Sequence, residues 1–434
     1  MTVKPKNFGW LRTSFASIVL LLSSIPLPGN AQTEIEVMHW WSRGGEKRAM
    51  QVLRDEFELR GGTWYDVPGE NSISVLNTAV SRMAKGYAPT LVQWNSSWEV
   101  SQIRNLGLLN HLDQESASFL RSAFIDNVLD MIMVNGEIVA IPVNVHSENW
   151  LWYKPASLAD HGQTALSNWS EFLDFAQTLS ESGQVAIAVG NQPHQQRTLF
   201  NNVLLGVAGQ DIFQRIYNNL DISALKTTEF QQAVNIYTKL KKYSHSFGDG
   251  RWEQQLAAVA ASKAFTVSMG DWAKGEFRNL GLKLGRDYDC APAPGTADNI
   301  VLVIDAFVLG QVSNNSEKLG QQLFMDVVTD PVVSETFNYL KGSLSPLRET
   351  DSRGLDKCSS VAHNTLNKRG KAIKPHASIG DRGFITSMDH LIARLWSGNS
   401  TSTGWITEFS QLIEQEKIKR ASNSQFSTNN FDDK

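Results

Sequence analysis

Apolar and polar positions alternate at the start of the regular pattern, with Ile35, Val37 and His39 set against Glu36, Met38 and Trp40. A period of two predicts a strand. After Gly44 and Gly45 the period changes, and Ala49, Val52, Leu53 and Phe57 fall on one face of a helix. The succession repeats as a strand over Thr63–Pro68, a helix through Val75, Ala79, Val80 and Met83, and a short apolar strand over 90–94. Strands alternating with helices predict a parallel sheet with crossover helices. Residues 137–153 (EIVAIPVNVHSENWLWY) are extended but interrupted by Pro142, which cannot donate to a central ladder. They read as a passage from one lobe into another. Downstream the stripes are helical, through Phe172, Phe175, Ala176 and Leu179, then Phe200, Val203, Leu204 and Val207. After Asp298 an apolar strand, IVLVIDAFVLG, predicts a return to the first lobe. No internal repeat or low-complexity linker is visible, and the polar tail from Ser422 is expected to fray.

The first 31 residues carry a different pattern. Lys4, Lys6 and Arg12 precede an apolar run over 15–25, and Gly29 and Ala31 put small residues at −3 and −1 of a cleavage site. This is the layout of an export signal cut near Ala31. The run is shorter than the roughly 20 residues that span a bilayer. Cleavage removes three basic residues and no acidic one, taking the net charge from −4 to −7. Neither value suits a phosphate-reading surface, so no nucleic-acid partner is expected. An exported chain with two cysteines, Cys290 and Cys358, is expected to join them in a disulfide.

Catalytic signatures such as G-x-S-x-G, H-E-x-x-H and the phosphate loop do not occur. Several polar residues stand where a core gains nothing from them. Asp305 lies inside an apolar run, and an unpaired buried carboxylate costs several kcal/mol, so it needs an ion-pair partner or a cleft. Lys341 precedes Gly342 at a helix end and Glu46 opens the first helix; both placements also suit the helix dipole. His376, in the loop K-P-H-A-S, reads alone as a solvated histidine. The chain has 13 tryptophans, an aromatic excess that suggests flat binding surfaces. Trp40 and Trp41 are adjacent on the expected strand and start on opposite faces, so one of them needs a cleft or a ligand. Trp272 sits in the polar segment G-D-W-A-K-G, and Trp150 and Trp152 share a face suited to core packing.

The runs V-M-H-W-W-S-R-G-G-E (37–46), L-G-L-L-N-H-L-D (106–113) and V-N-V-H-S-E-N-W-L-W-Y-K (143–154) resemble the sugar-binding proteins of bacterial ABC importers. So do G-D-W-A-K-G (270–275), D-C-A-P-A-P-G-T (289–296) and L-K-G-S-L-S-P-L (340–347). The likeness is strongest to the glucose and mannose binders of Gram-negative bacteria. It implies an α/β, two-lobed periplasmic binding protein fold of type II, with a hinge and an interlobe ligand cleft. The lobes are expected to comprise 32–143 plus about 302–345, and about 148–298 plus about 350–434. The resemblance further implies polar ligand contacts from Glu46, Gln93, Asn95, Asp305, Lys341 and His376, and aromatic walls at Trp40 or Trp41 and at Trp272. Its ligand would be a monosaccharide and its partners the permease subunits of an importer, with a monomeric, periplasmic protein and no cofactor or metal. His194 stands where that family leads one to expect an aromatic residue, which alters one wall. A pyranose suits such a site, because tryptophan stacks on its C–H faces while charged groups meet its hydroxyl rim. A secreted glycoside hydrolase also uses a Trp-lined cleft with carboxylates, and a sugar sensor would differ only in its partner.

Overall fold

The computed structural model describes residues 1–2, 33–95, 97–134, 136–160, 167–368, 370–374, 380 and 382–429. Residues 3–32, on which most of the expected export signal falls, and His376 lie outside them. The first sheet has the order β2-β1-β3-β14-β6. Strand β1 (Glu34–His39) runs parallel to β2 (Thr63–Pro68) and β3 (Leu91–Trp94). A hairpin of β4 (Met133–Val134) and β5 (Glu137–Ile138) leads to β6 (Ile141–Pro142), the far edge of that sheet. Short β7 (His146–Ser147) follows, and β8 (Trp150–Tyr153) enters the second sheet.

The second sheet is β10-β9-β11-β8-β12. It is built from β9 (Val185–Ala188), β10 (Ser244–His245), β11 (Ala264–Ser268) and β12 (Asp289–Pro292) around β8. The chain then returns through β13 (Ile300–Val303) and β14 (Ala306–Leu309), which is inserted antiparallel between β3 and β6. Strands β15 (Ala372–Ile373), β13 and β7 make a three-stranded sheet from the crossing segments. The protein is thus an α/β, two-lobed fold of the type II periplasmic binding class, with a hinge and an interlobe cleft.

The patterning explains these elements. In β1, Ile35 and Val37 are fully buried and face the helix Gly44–Leu59, whose Ala49, Met50, Leu53 and Phe57 meet them. The second lobe closes over Phe172, Phe200, Phe230 and Trp405, with Phe200 and Trp405 in edge contact at 5.4 Å. Among the described residues no helix is long and apolar enough to cross a membrane.

Four expectations need correction. Strand β1 ends at His39, so Trp40 and Trp41 lie just beyond it, where the backbone turns toward the glycine pair that opens the next helix. The passage 137–153, expected to be interrupted, is indeed divided into four short strands, because its partners change from sheet to sheet. The run IVLVIDAFVLG is likewise divided, at Ile304 and Asp305. The helix Ser402–Asn429 continues past Ser422, since each residue added to a formed helix gains a hydrogen bond. The tryptophan excess also serves packing first: Trp41, Trp94, Trp152, Trp169 and Trp405 rank among the largest fully buried side chains.

Cys290 on β12 and Cys358 in the helix Lys357–Leu366 form a disulfide across 68 residues, with 6.2 Å between their Cα atoms. Below this bridge's lobe core, a buried ionic group ties the helix Pro193–Tyr217 to the helix Arg382–Trp396. Arg197 Nη1 donates to both Asp389 oxygens at 2.8 and 3.1 Å, and Thr198 Oγ1 donates to Glu148 Oε1 at 2.7 Å. His194, half-buried one turn earlier, is pushed down to about 4 by loss of water around the ring and then by the Arg197 charge.

Unreduced protein should weigh two hydrogens less than the thiol form, and replacing both cysteines by serine should lower stability by about 4 kcal/mol on the chain-entropy account; two free thiols in the unreduced protein would contradict this. The depressed His194 pKa means that the native state takes up fewer protons than the unfolded chain as pH falls from 6.5 toward about 4. Stability should decline by about 3 kcal/mol across that window. Denaturant unfolding at stepped pH should show a flatter profile for His194→Gln, and an identical slope would refute the assignment.

Candidate functional site

In a parallel sheet, functional groups gather at the carboxyl ends of the strands. At that edge of the first sheet stand Trp40 and Trp41 after β1, Asn95 after β3, and Asp305 before antiparallel β14, whose Ala306 pairs with Trp94. Gln93 is fully buried in β3 and its Oε1 accepts from the Trp40 N–H at 3.1 Å, while its Nε2 has no partner. Asn95 is exposed. The Gln93 bond holds the backbone of Trp40, which is half-buried; Trp41 points the other way, into the core between Phe307 and Phe337.

Asp305 is 5 % exposed. Its Oδ2 accepts from Asn144 Nδ2 at 2.9 Å, and its N–H donates to Asn144 Oδ1 at 3.0 Å. The reciprocal pair satisfies a carboxylate that would otherwise be stranded. Lys341 ends the helix Pro331–Lys341, which stops because Gly342 takes the left-handed conformation, φ 90°. Its Nζ donates to Glu46 Oε1 at 2.9 Å and to His146 Nε2 at 3.0 Å, and it lies 4.9 Å from the centre of the Trp41 ring. Helix dipole, carboxylate and aromatic face thus all favour this buried cation. His146 Nδ1 bonds in turn to Asp271 Oδ1, and its Nε2 lies 3.6 Å from Asp305 Oδ2. Trp272 stands edge-on to the imidazole at 5.4 Å.

These side chains come from segments of both lobes, which meet through glycines. A Cβ on Gly45 would lie 2.7 Å from the Gly275 oxygen, one on Gly275 would lie 2.5 Å from the Lys341 oxygen, and one on Gly342 would lie 2.6 Å from the Asp271 oxygen. Side chains at these positions would hold the helix beginning at Gly44, the helix Ala273–Asn279 and the end of the Lys341 helix apart. The Gly45 N–H is also free to donate to Glu276 Oε2 at 3.2 Å.

Of the residues singled out in the sequence, Glu46, Lys341, Asp305, Trp41 and Trp272 meet around His146, while Gln93 supports Trp40 and Asn95 makes no part of that cluster. His194 lies beside the second lobe's buried ionic group, within the influence of the Arg197 charge. Asn144, His146 and Asp271 were not singled out. One signal was available for two of them: Asn144 and His146 are two residues apart in an extended segment whose neighbours are apolar, so both polar groups start on one face. Asp271 had none, since an acid beside a tryptophan in a polar turn is unremarkable without its partner.

Residues 57–349 match the family described as bacterial extracellular solute-binding protein. A "Probable sugar-binding periplasmic protein" of Brucella suis biovar 1 (strain 1330) is 30% identical over 414 residues, covering 93% of this chain and 97% of its own. Among solved structures, a "Chitin oligosaccharide binding protein" superposes with a TM-score of 0.77 at 14% identity, covering 89% of this chain and 99% of that one. The bacterial solute receptor AcbH, described as having an exclusive preference for b-D-galactopyranose, gives 0.74 at 14% identity, with 89% and 98% covered. The family match spans most of the chain and includes His146, Glu148, Asp271, Trp272, Asp305 and Lys341, whereas Trp40, Trp41 and Glu46 precede it. With the fold, the cleft and this match in agreement, the chain belongs to the bacterial extracellular solute-binding proteins.

Proposed function

We propose that this protein binds a monosaccharide, glucose or a similar aldose such as mannose, in the cleft and delivers it to the permease of an ABC importer in the periplasm. The observation that carries the reading is the meeting of Glu46, Asp305 and Lys341 at one sheet edge with Trp40 and Trp272 nearby. Carboxylates accept from sugar hydroxyls, the ammonium donates to a ring or hydroxyl oxygen, and the indoles offer flat surface. Glu46 bonds to the Lys341 ammonium there, and two further carboxylates, Asp271 and Asp305, lie against His146 beside it. That balance disfavours an anionic ligand and suits a neutral, hydroxyl-rich one. The names of the Brucella relative, of the chitin oligosaccharide binder and of AcbH support a sugar. Gln93, Asn95 and His376 are proposed as further contacts.

The lobes are proposed to divide near 143–148, 298–302 and 345–350, around the crossing strands. A contact away from the hinge supports closure of one lobe on the other. Arg382, at the start of its helix in the second lobe, reaches Glu99 Oε1 at 3.2 Å and Asn77 Oδ1 at 2.7 Å in the first. Ligand contacts from both sides would favour this closed arrangement over an open one.

Calorimetric titration against a panel of monosaccharides should find one or more aldoses that bind; a panel without binding would refute the reading. A labelled oligosaccharide should be returned uncut, whereas cleavage would favour a hydrolase. Asp305→Ala should weaken sugar binding by about 2 to 5 kcal/mol with an unchanged circular dichroism spectrum; an unaltered dissociation constant would remove Asp305 from the site. Small-angle scattering should give a smaller radius of gyration with saturating sugar than without it, and a constant radius during proven binding would show a preformed cleft.

A further inference from the structure

We infer that His146 and Asp271 are positioning residues for Lys341, and that they act through a neutral imidazole protonated on Nδ1. The inference rests on the reading of the cleft as the sugar site. A carboxylate only accepts and an ammonium only donates, so the hydrogen bonds assign the ring. Nδ1 faces Asp271 Oδ1 and must donate; Nε2 faces Lys341 Nζ at 3.0 Å and must accept. With protons on both nitrogens, Nε2–H would oppose the ammonium, and its remaining acceptor would be Asp305 Oδ2 at 3.6 Å.

Everything around the ring keeps it in that role. The second Asp271 oxygen accepts from the Ser147 N–H at 3.1 Å and from Ser147 Oγ at 3.3 Å, and Trp150 Nε1 donates to that same hydroxyl. Asp271 therefore cannot turn away. The charged groups facing His146 are Asp271 from the turn after β11, Asp305 from between β13 and β14, and Lys341 from its helix end, with Glu46 beyond it; Trp272 closes the edge. His146 is 1 % exposed and Lys341 2 %. Apolar residues would fill such a volume at lower desolvation cost, so the polar chain has a use other than packing. That use follows from proton counting. Lys341 has three N–H donors; Glu46 takes one and His146 a second, which fixes the direction of the third toward a ligand oxygen.

Two measurements test this. Nitrogen-15 spectra of the uniformly labelled wild-type protein, with the His146 signals identified by their loss in His146→Gln, should show a neutral ring carrying its proton on Nδ1. A ring protonated on Nε2 alone would overturn the inference, and this holds even if no sugar in the panel binds, so it is separable from failure of the proposed function. Titration with whichever aldose binds should then find His146→Leu weakened about tenfold to a hundredfold, the range for a lost bond to a charged group. His146→Gln, whose amide can donate to Asp271 and accept from Lys341, should recover most of that loss. Equal affinity for wild type and His146→Leu, or equal loss in the Leu and Gln variants, would reduce His146 to a packing residue.

Discussion

A chain that passes from one sheet to another must leave its ladder, and every buried amide and carbonyl so released has to find a new partner at once. That constraint acts where the two crossing strands run side by side. Strand β6 pairs with β14, and β7 pairs with β13, but between them Asn144 and Val145 face Ile304 and Asp305, where neither ladder applies. The gap is closed by substitution. The Asn144 amide takes the place of a peptide, Val143 donates to the Asp305 oxygen at 3.0 Å, and Val145 exchanges bonds with Leu344, just past the helix that ends at Lys341. The interruption produces the hinge and the buried carboxylate together, because the residue that loses its ladder partner is the one whose side chain is captured by an amide.

The cationic half of the site depends on backbone proximity. Gly45, Gly275 and Gly342 let three helix ends touch without side chains between them. Their meeting brings a helix C-terminus, with Lys341, against a helix N-terminus, with Glu46, so the two dipoles favour the charges that the side chains carry. Buried charges are costly, and here each has a defined partner: Lys341 has Glu46 and His146, His146 has Asp271, and Asp305 has Asn144. Removing any one member leaves its neighbour exposed to the full penalty of an unpaired buried group.

Much of the scaffold was visible as local pattern. Strands β1, β2 and β3 and their helices follow from changes of hydrophobic period, and Asp305 could be noticed because a carboxylate interrupts an apolar run. The lone cysteine pair was readable by composition and compartment. What local pattern could not convey was partnership across 124 to 295 residues, the separations of Ser147 from Asp271 and of Lys341 from Glu46. His146 resembles any polar residue in a mixed segment until Asp271 and Lys341 are seen on its two nitrogens. The break in the strand at 304–305 was hidden for a related reason: apolar runs announce extended backbone but not which neighbour it extends along. Tryptophan abundance misled in the opposite sense, since indoles that looked available for ligand faces mostly fill the core.

The insertion of β14 between β3 and β6 bears on how the molecule is assembled in time. Strand β3 ends at Trp94 and the strand that must lie beside it begins at Ala306, so the first sheet lacks an interior member until about two hundred further residues have been synthesised. Until then β3 and β6 present open edges, the kind of surface that pairs with other chains. Closing so long a loop is slow compared with forming local helices. The second sheet, by contrast, draws all its strands from one uninterrupted stretch, β8 to β12, and can form before β14 is available. The sheet encoded first is therefore the sheet completed last, and the polar cluster at the crossing, which needs both lobes, is assembled only as the chain returns.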